Sequence, residues 1–120
     1  MSSKLSSKGQ KKMETILQAR RKWDRVHGLV EQYGTQRVGE DMYLGQIARA
    51  AVEVSRVFMN AGYGVMADTA NQLAMLAKRG VGKPMKLRAM RDFVSAVKAA
   101  MERQEKMIMD EDKPEAGGTD

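Results

Sequence analysis

The side chains able to do bond-making chemistry are few, and their types narrow the possibilities at once. The chain holds no cysteine and a single histidine, His27. Nucleophilic triads of the usual kind need a base beside the nucleophile and a third group to orient that base, and these residues cannot build one. Absence of cysteine excludes a disulfide framework and a thiolate metal site, and one histidine excludes an imidazole cluster within one chain. Carboxylates paired at helical spacing are confined to Glu102/Glu105 and the acidic end of the chain, both in solvated, charge-mixed stretches. A di-metal helical bundle would need several inward carboxylates and Glu-x-x-His pairs, and there are none. The stretch Gly80-Val81-Gly82-Lys83-Pro84 is open to two readings, a small phosphate cradle before a helix N-terminus or a plain turn. The expectation is a protein that is not an enzyme and uses no cofactor and no metal.

Cations are the chemistry that remains. The net charge is +6, and residues 1–39 hold nine lysines and arginines against three acids. The middle, 40–79, is neutral, residues 80–109 are again basic, and 110–120 are acidic. In the first basic region Lys8, Lys11 and Lys12 precede Arg20, Arg21, Lys22 and Arg25, which spread over helix faces not used by the apolar residues. In the second, Arg88, Arg91 and Lys98 share a stripe with Ser95, since steps of three and four return to one side of a helix, and Lys83 and Lys86 come just before. Arg37 stands in a connection with Thr35 and Gln36. Such stripes suit a phosphate backbone, which gains affinity through counterion release; they also suit a solvated helix face. The candidate nucleic-acid-binding set is therefore Lys11, Lys12, Arg20, Arg21, Lys22, Arg25, Arg37, Lys83, Lys86, Arg88, Arg91 and Lys98. Tyr43 and Tyr63, near segment starts, either stack on bases or pack over the ends of a bundle. The acidic end either competes with phosphates for the cations or only aids solubility.

The elements that must position these residues are helices. Strand-like alternation is absent, and glycines at Gly34/Gly39, Gly62/Gly64 and Gly80/Gly82 divide the chain into four segments of helical length. In segment one, from about Ser7 to Tyr33, Ile16, Trp23 and Val30 recur every seven residues, with Ala19, Val26 and Tyr33 three places after each. Trp23 is expected in the core and Gly34 as a left-handed helix end. Segment two starts near Glu40–Asp41, acids that complement a helix N-terminus, and carries Leu44, Ile47, Ala48, Ala51, Val54, Ser55 and Phe58 on one stripe. Segment three runs from about Tyr63 to Arg79, with Gly80 as its cap. In segment four Pro84 suits a first turn, and Leu87, Met90, Val94, Val97, Met101 and Ile108 hold a heptad interrupted at Gln104.

Short glycine connections between four amphipathic helices predict an all-α fold, a compact antiparallel bundle with mobile termini. Its expected parts are a flexible basic segment (1–8), the bundle (9–109) and a disordered acidic tail (110–120). The connection between Gly34 and Gly39 is expected to be the longest. Of eleven methionines, Met66, Met90 and Met101 fall on core stripes, whereas Met59, Met75, Met107 and Met109 fall less cleanly and suggest an adaptable protein-docking surface. A Cu(I) site is the less attractive use of scattered thioethers. There is no secretory leader or apolar run of membrane-spanning length, so a cytoplasmic protein with no membrane partner is expected.

The run from Asn60 to Gly80, Asn-Ala-Gly-Tyr-Gly-Val-Met-Ala-Asp-Thr-Ala-Asn-Gln-Leu-Ala-Met-Leu-Ala-Lys-Arg-Gly, resembles the small helical subunits of CRISPR effector complexes: a helix end, an Asn/Gly turn, an alanine–leucine helix and a Lys-x-Gly close. The resemblance covers about a fifth of the chain. It implies a non-enzymatic, RNA-binding subunit of an antiviral ribonucleoprotein whose basic faces lie beside nucleic-acid strands, and it supplies no motif residues. The other function class open to these residues is a protein-interaction or self-assembly module without nucleic-acid contact.

Overall fold

A computed structural model describes residues 5–111. Four helices follow one another: α1 (Ser7–Thr35), α2 (Glu40–Asn60), α3 (Gly64–Ala77) and α4 (Lys83–Glu111). No strand occurs among the described residues. Each helix packs on its two neighbours in the cycle α1–α2–α3–α4, leaving α1 opposite α3 and α2 opposite α4. The contacts between neighbours run in antiparallel register, Lys12 with Glu111 and Arg91 with Glu31 on one side of α1, Lys22 with Glu53 and Thr15 beside Asn60 on the other. The expected four-helix antiparallel bundle is thus the fold of the chain.

The heptad of α1 explains why the bundle closes. Ile16, Ala19, Trp23, Val26, Val30 and Tyr33 are all buried, and they meet Ile47, Val54 and Phe58 of α2, Leu73 of α3 and Met90, Val94 and Met101 of α4 in one core. Trp23, 1% exposed, is the largest of the fully buried side chains. Its indole Nε1–H donates to the Val94 carbonyl at 3.0 Å, so the polar edge of the ring is satisfied where it enters the core.

Helix ends follow the local residues. Ser6 caps α1 by accepting from the Gly9 N–H at 3.1 Å. Gly39 and Gly62 hold left-handed backbones (φ 75° and 87°) at the two turns that flank α2. Gly34 does otherwise than the sequence suggested: it stays helical, and α1 runs on to Thr35. A Cβ at Gly34 would stand 3.0 Å from Leu87 Cδ2, so this glycine serves close approach to α4 and not a left-handed stop. The link between α1 and α2 consequently shrinks to 36–39, shorter than the α3–α4 link at 78–82.

Two lysines bind the links to the body. Lys83 Nζ donates to the Gln36 carbonyl and, at 2.7 Å, to Glu40 Oε2, and sits 5.1 Å from the Tyr33 ring centroid. Lys86 is 5% exposed and donates to the Ala77 carbonyl at 3.2 Å, satisfying a carbonyl at the end of α3. Replacing Trp23 by Phe should cost about 1–3 kcal/mol in urea denaturation, from the lost indole bond and the smaller ring. A loss below roughly 0.5 kcal/mol, the ordinary scale of a surface change, would contradict the place given to this residue.

Candidate nucleic-acid interface

The two flanks of α1 are occupied differently. Toward α4, cations and acids pair at three places along the seam, with Lys98 left exposed between two of them. Arg20 Nη1 lies 2.6 Å from Glu105 and its Nη2 3.6 Å from Glu102. Arg91 grips Glu31 through both Nε (2.9 Å) and Nη2 (2.7 Å), a bidentate fit of guanidinium to carboxylate. Lys12 stands 3.7 Å from Glu111 at the far end. The Arg91 bond, with charge from Arg91 and His27, holds the Glu31 carboxyl below its usual 4.5 despite slight burial.

Toward α2 the balance is different. Lys8, Lys11, Thr15, Gln18, Lys22 and Arg25 follow one another at steps of three and four and so share one side of α1. That side faces α2: Lys8, Lys11, Thr15 and Gln18 border clefts with Asn60 and Ala61 at the end of α2, and Lys22 Nζ donates to Glu53 Oε2 at 2.6 Å. On α2 the matching stripe is Arg49, Glu53, Arg56 and Asn60, all exposed. Glu53 is therefore the one carboxylate among six cations on these two stripes. Its carboxyl is held low first by the Lys22 hydrogen bond and charge, and to a lesser degree by the charges of Arg25 and Arg56. Arg49 and Arg56 escaped the sequence reading because they lie on a segment of zero net charge; their spacing of seven was the available signal.

The candidate cations thus divide evenly. Lys12, Arg20, Lys22, Lys83 and Arg91 have carboxylate partners, and Lys86 is buried against α3. Lys11, Arg21, Arg25, Arg37, Arg88 and Lys98 are exposed and make no ion pair within 4 Å among the described residues. Arg21 flanks Arg25 on the outer side of α1, Arg37 sits in the α1–α2 link, and Arg88 and Lys98 sit on α4, away from the α1–α2 seam. The stripe expected from Arg88, Arg91 and Lys98 is broken at its centre, where Arg91 is committed to Glu31. The turn at Gly80 to Pro84 is tied down by Lys83, whose ammonium faces the α1–α2 link.

Tyr43 and Tyr63 are partly buried against the core. Burial, and then the nearby Glu111 charge, push the Tyr63 hydroxyl pKa up. Met59, Met75, Met107 and Met109 are all about half exposed. Among the described residues no group of His, Asp and Glu is placed to hold a metal ion, and no helix is long and apolar enough to cross a membrane. Comparison of the chain with protein-family models, with curated proteins and with solved structures returned no match.

Because Glu31 and Glu53 titrate below 4.5 in the folded state, their stabilisation is complete above that pH and is lost as pH falls through the lower folded values. The urea midpoint should drop on acidification below pH 4.5, and the drop should be smaller in a Glu31→Gln, Glu53→Gln variant. Equal acid sensitivity in both proteins would show that these pairs carry no such linkage.

Proposed function

We propose that this chain is a non-enzymatic nucleic-acid-associated subunit that holds phosphate backbones along the α1–α2 seam. One observation carries the reading: Lys8, Lys11, Lys22 and Arg25 share the side of α1 toward α2, where Lys22 meets Glu53, and Arg49 and Arg56 share with Glu53 the outward stripe of α2 beside it, Glu53 being the one acid on these two stripes. From Lys8 to Arg25 the stripe runs about 26 Å at 1.5 Å per residue, long enough to meet several successive phosphates. A phosphate entering the seam would draw Lys22 away from the exposed Glu53, exchanging one weak surface pair for contacts to a dense polyanion that sheds its counterions. The contacts are to backbone, so affinity would vary little with sequence. The resemblance of residues 60–80 to CRISPR small subunits fits a place within a larger ribonucleoprotein, where such a seam would track guide, target or displaced strand.

The test is binding across a salt series. Arg25→Glu with Arg56→Glu, checked for intact helicity, should weaken binding to all sequences alike and reduce the salt slope by about 1.4–1.8, the value for two phosphate contacts. Arg88→Glu with Lys98→Glu changes the net charge equally and should do far less. Equal losses in the two variants would mean that overall charge, and not the seam, attracts the polyanion.

A further inference from the structure

The seam does not end at the body of the bundle. Helices α1 and α4 are each 29 residues long, whereas α2 and α3 have 21 and 14. Thr15 of α1 is level with Asn60 at the end of α2. The first turns of α1 and the last turns of α4 therefore overhang the α2–α3 turn. Under the overhang lies a cleft of about 480 Å³ lined by Lys8, Lys11 and Lys12 from α1, Asn60 from the end of α2, Tyr63 from the turn, and Gln104 and Glu111 from α4. It shares Thr15, Asn60 and Ala61 with the smaller cleft beside Gln18 and Val57, so the two form one track into the seam.

This end of the track differs chemically from the rest. The seam offers cations with Thr15, Gln18 and Glu53 among them, but the cleft adds a partly exposed aromatic ring, Tyr63, with the amides of Asn60 and Gln104 beside it. A duplex presents only phosphates and sugars to such a place, because its bases are stacked and paired. A single strand can turn a base out of line, lay it on an aromatic face and pair its edge with amides while its phosphates meet lysines. Resting on the reading of the seam above, we infer that the ligand is a single-stranded nucleic acid, and that one of its bases enters the overhang cleft against Tyr63 while Lys8 and Lys11 hold the adjoining phosphates. Asn60 and Gln104 offer donors and acceptors to the base edge. Glu111, already 3.7 Å from Lys12, is the local competitor for those lysines.

The experiment compares labelled oligo(dT) and oligo(U) of about 20 nucleotides, a length that spans the seam, with a blunt duplex of the same length. The proteins are the wild type, Tyr63→Phe and Tyr63→Leu, each confirmed as folded by circular dichroism and thermal melting. The single strands should bind more tightly than the duplex. Tyr63→Leu keeps the apolar packing but removes the aromatic face, and should weaken single-strand binding about tenfold or more while leaving the duplex unchanged. Tyr63→Phe should stay near wild type. Tighter binding of oligo(U) than oligo(dT) would assign RNA as the source of the strand, and the reverse would assign DNA. Equal affinity for strand and duplex, with Tyr63→Leu silent, overturns this inference and leaves the phosphate-binding seam standing. No binding of either form overturns both.

Discussion

The structure depends on how the cations of one helix are divided between its two sides. Helix α1 must pack on α4 and on α2 at once, because Trp23 and its heptad neighbours occupy the centre of the core. That geometry turns Arg20 and Glu31 toward α4, where Glu102, Glu105 and Arg91 meet them. It turns Lys11, Lys22 and Arg25 toward α2, where Glu53 pairs with Lys22, while Lys8 and Lys11 at the end of the helix share a cleft with Glu111 of α4. Each exposed pair contributes little to stability. Their arrangement nonetheless decides where the net positive charge of the molecule is left uncompensated.

A second consequence follows from helix length. Two long helices beside two short ones cannot end level, so the N-terminal turns of α1 and the C-terminal turns of α4 project together. The same projection brings three lysines over the α2–α3 turn and sets Tyr63 at its base. The basic seam and the mixed cleft are thus continuous because α1 contributes to both. At the opposite end the lysines are spent on architecture: Lys83 spans the α1–α2 link and Lys86 closes the end of α3.

Much of the fold was legible in the residues. The seven-residue recurrence of Ile16, Trp23 and Val30 and the heptad of α4 specify buried stripes without reference to any neighbour. Acids at Glu40–Asp41 and Pro84 mark helix starts through the local needs of a first turn. Gly34 misled because glycine serves two physical purposes, a left-handed backbone and a close approach, and only the position of Leu87 distinguishes them. The interface was legible in its ingredients and not in its assembly. Periodicity places Lys8, Lys11, Lys22 and Arg25 on one side of α1, but nothing local says that α2 stands there with Glu53 opposite Lys22. Nor does it say that α4 brings the carboxylates which neutralise Arg20, or that Glu31 waits for Arg91. Lys86 illustrates the same limit: a lysine in a basic stretch reads as solvated until a helix end is found above its ammonium.

On the proposed reading the α1–α2 face, and not the ion-paired α1–α4 seam, meets phosphate. Titrating an isotope-labelled sample with a short single-stranded oligonucleotide while following backbone amide and arginine side-chain resonances would locate the contact directly. Shifts are expected to concentrate at Lys8, Lys11, Lys22, Arg25, Arg49 and Arg56 and at Asn60 and Tyr63, with Arg20 and Arg91 nearly still. Shifts centred on Arg88, Arg91 and Lys98, or scattered evenly over the surface, would contradict that reading.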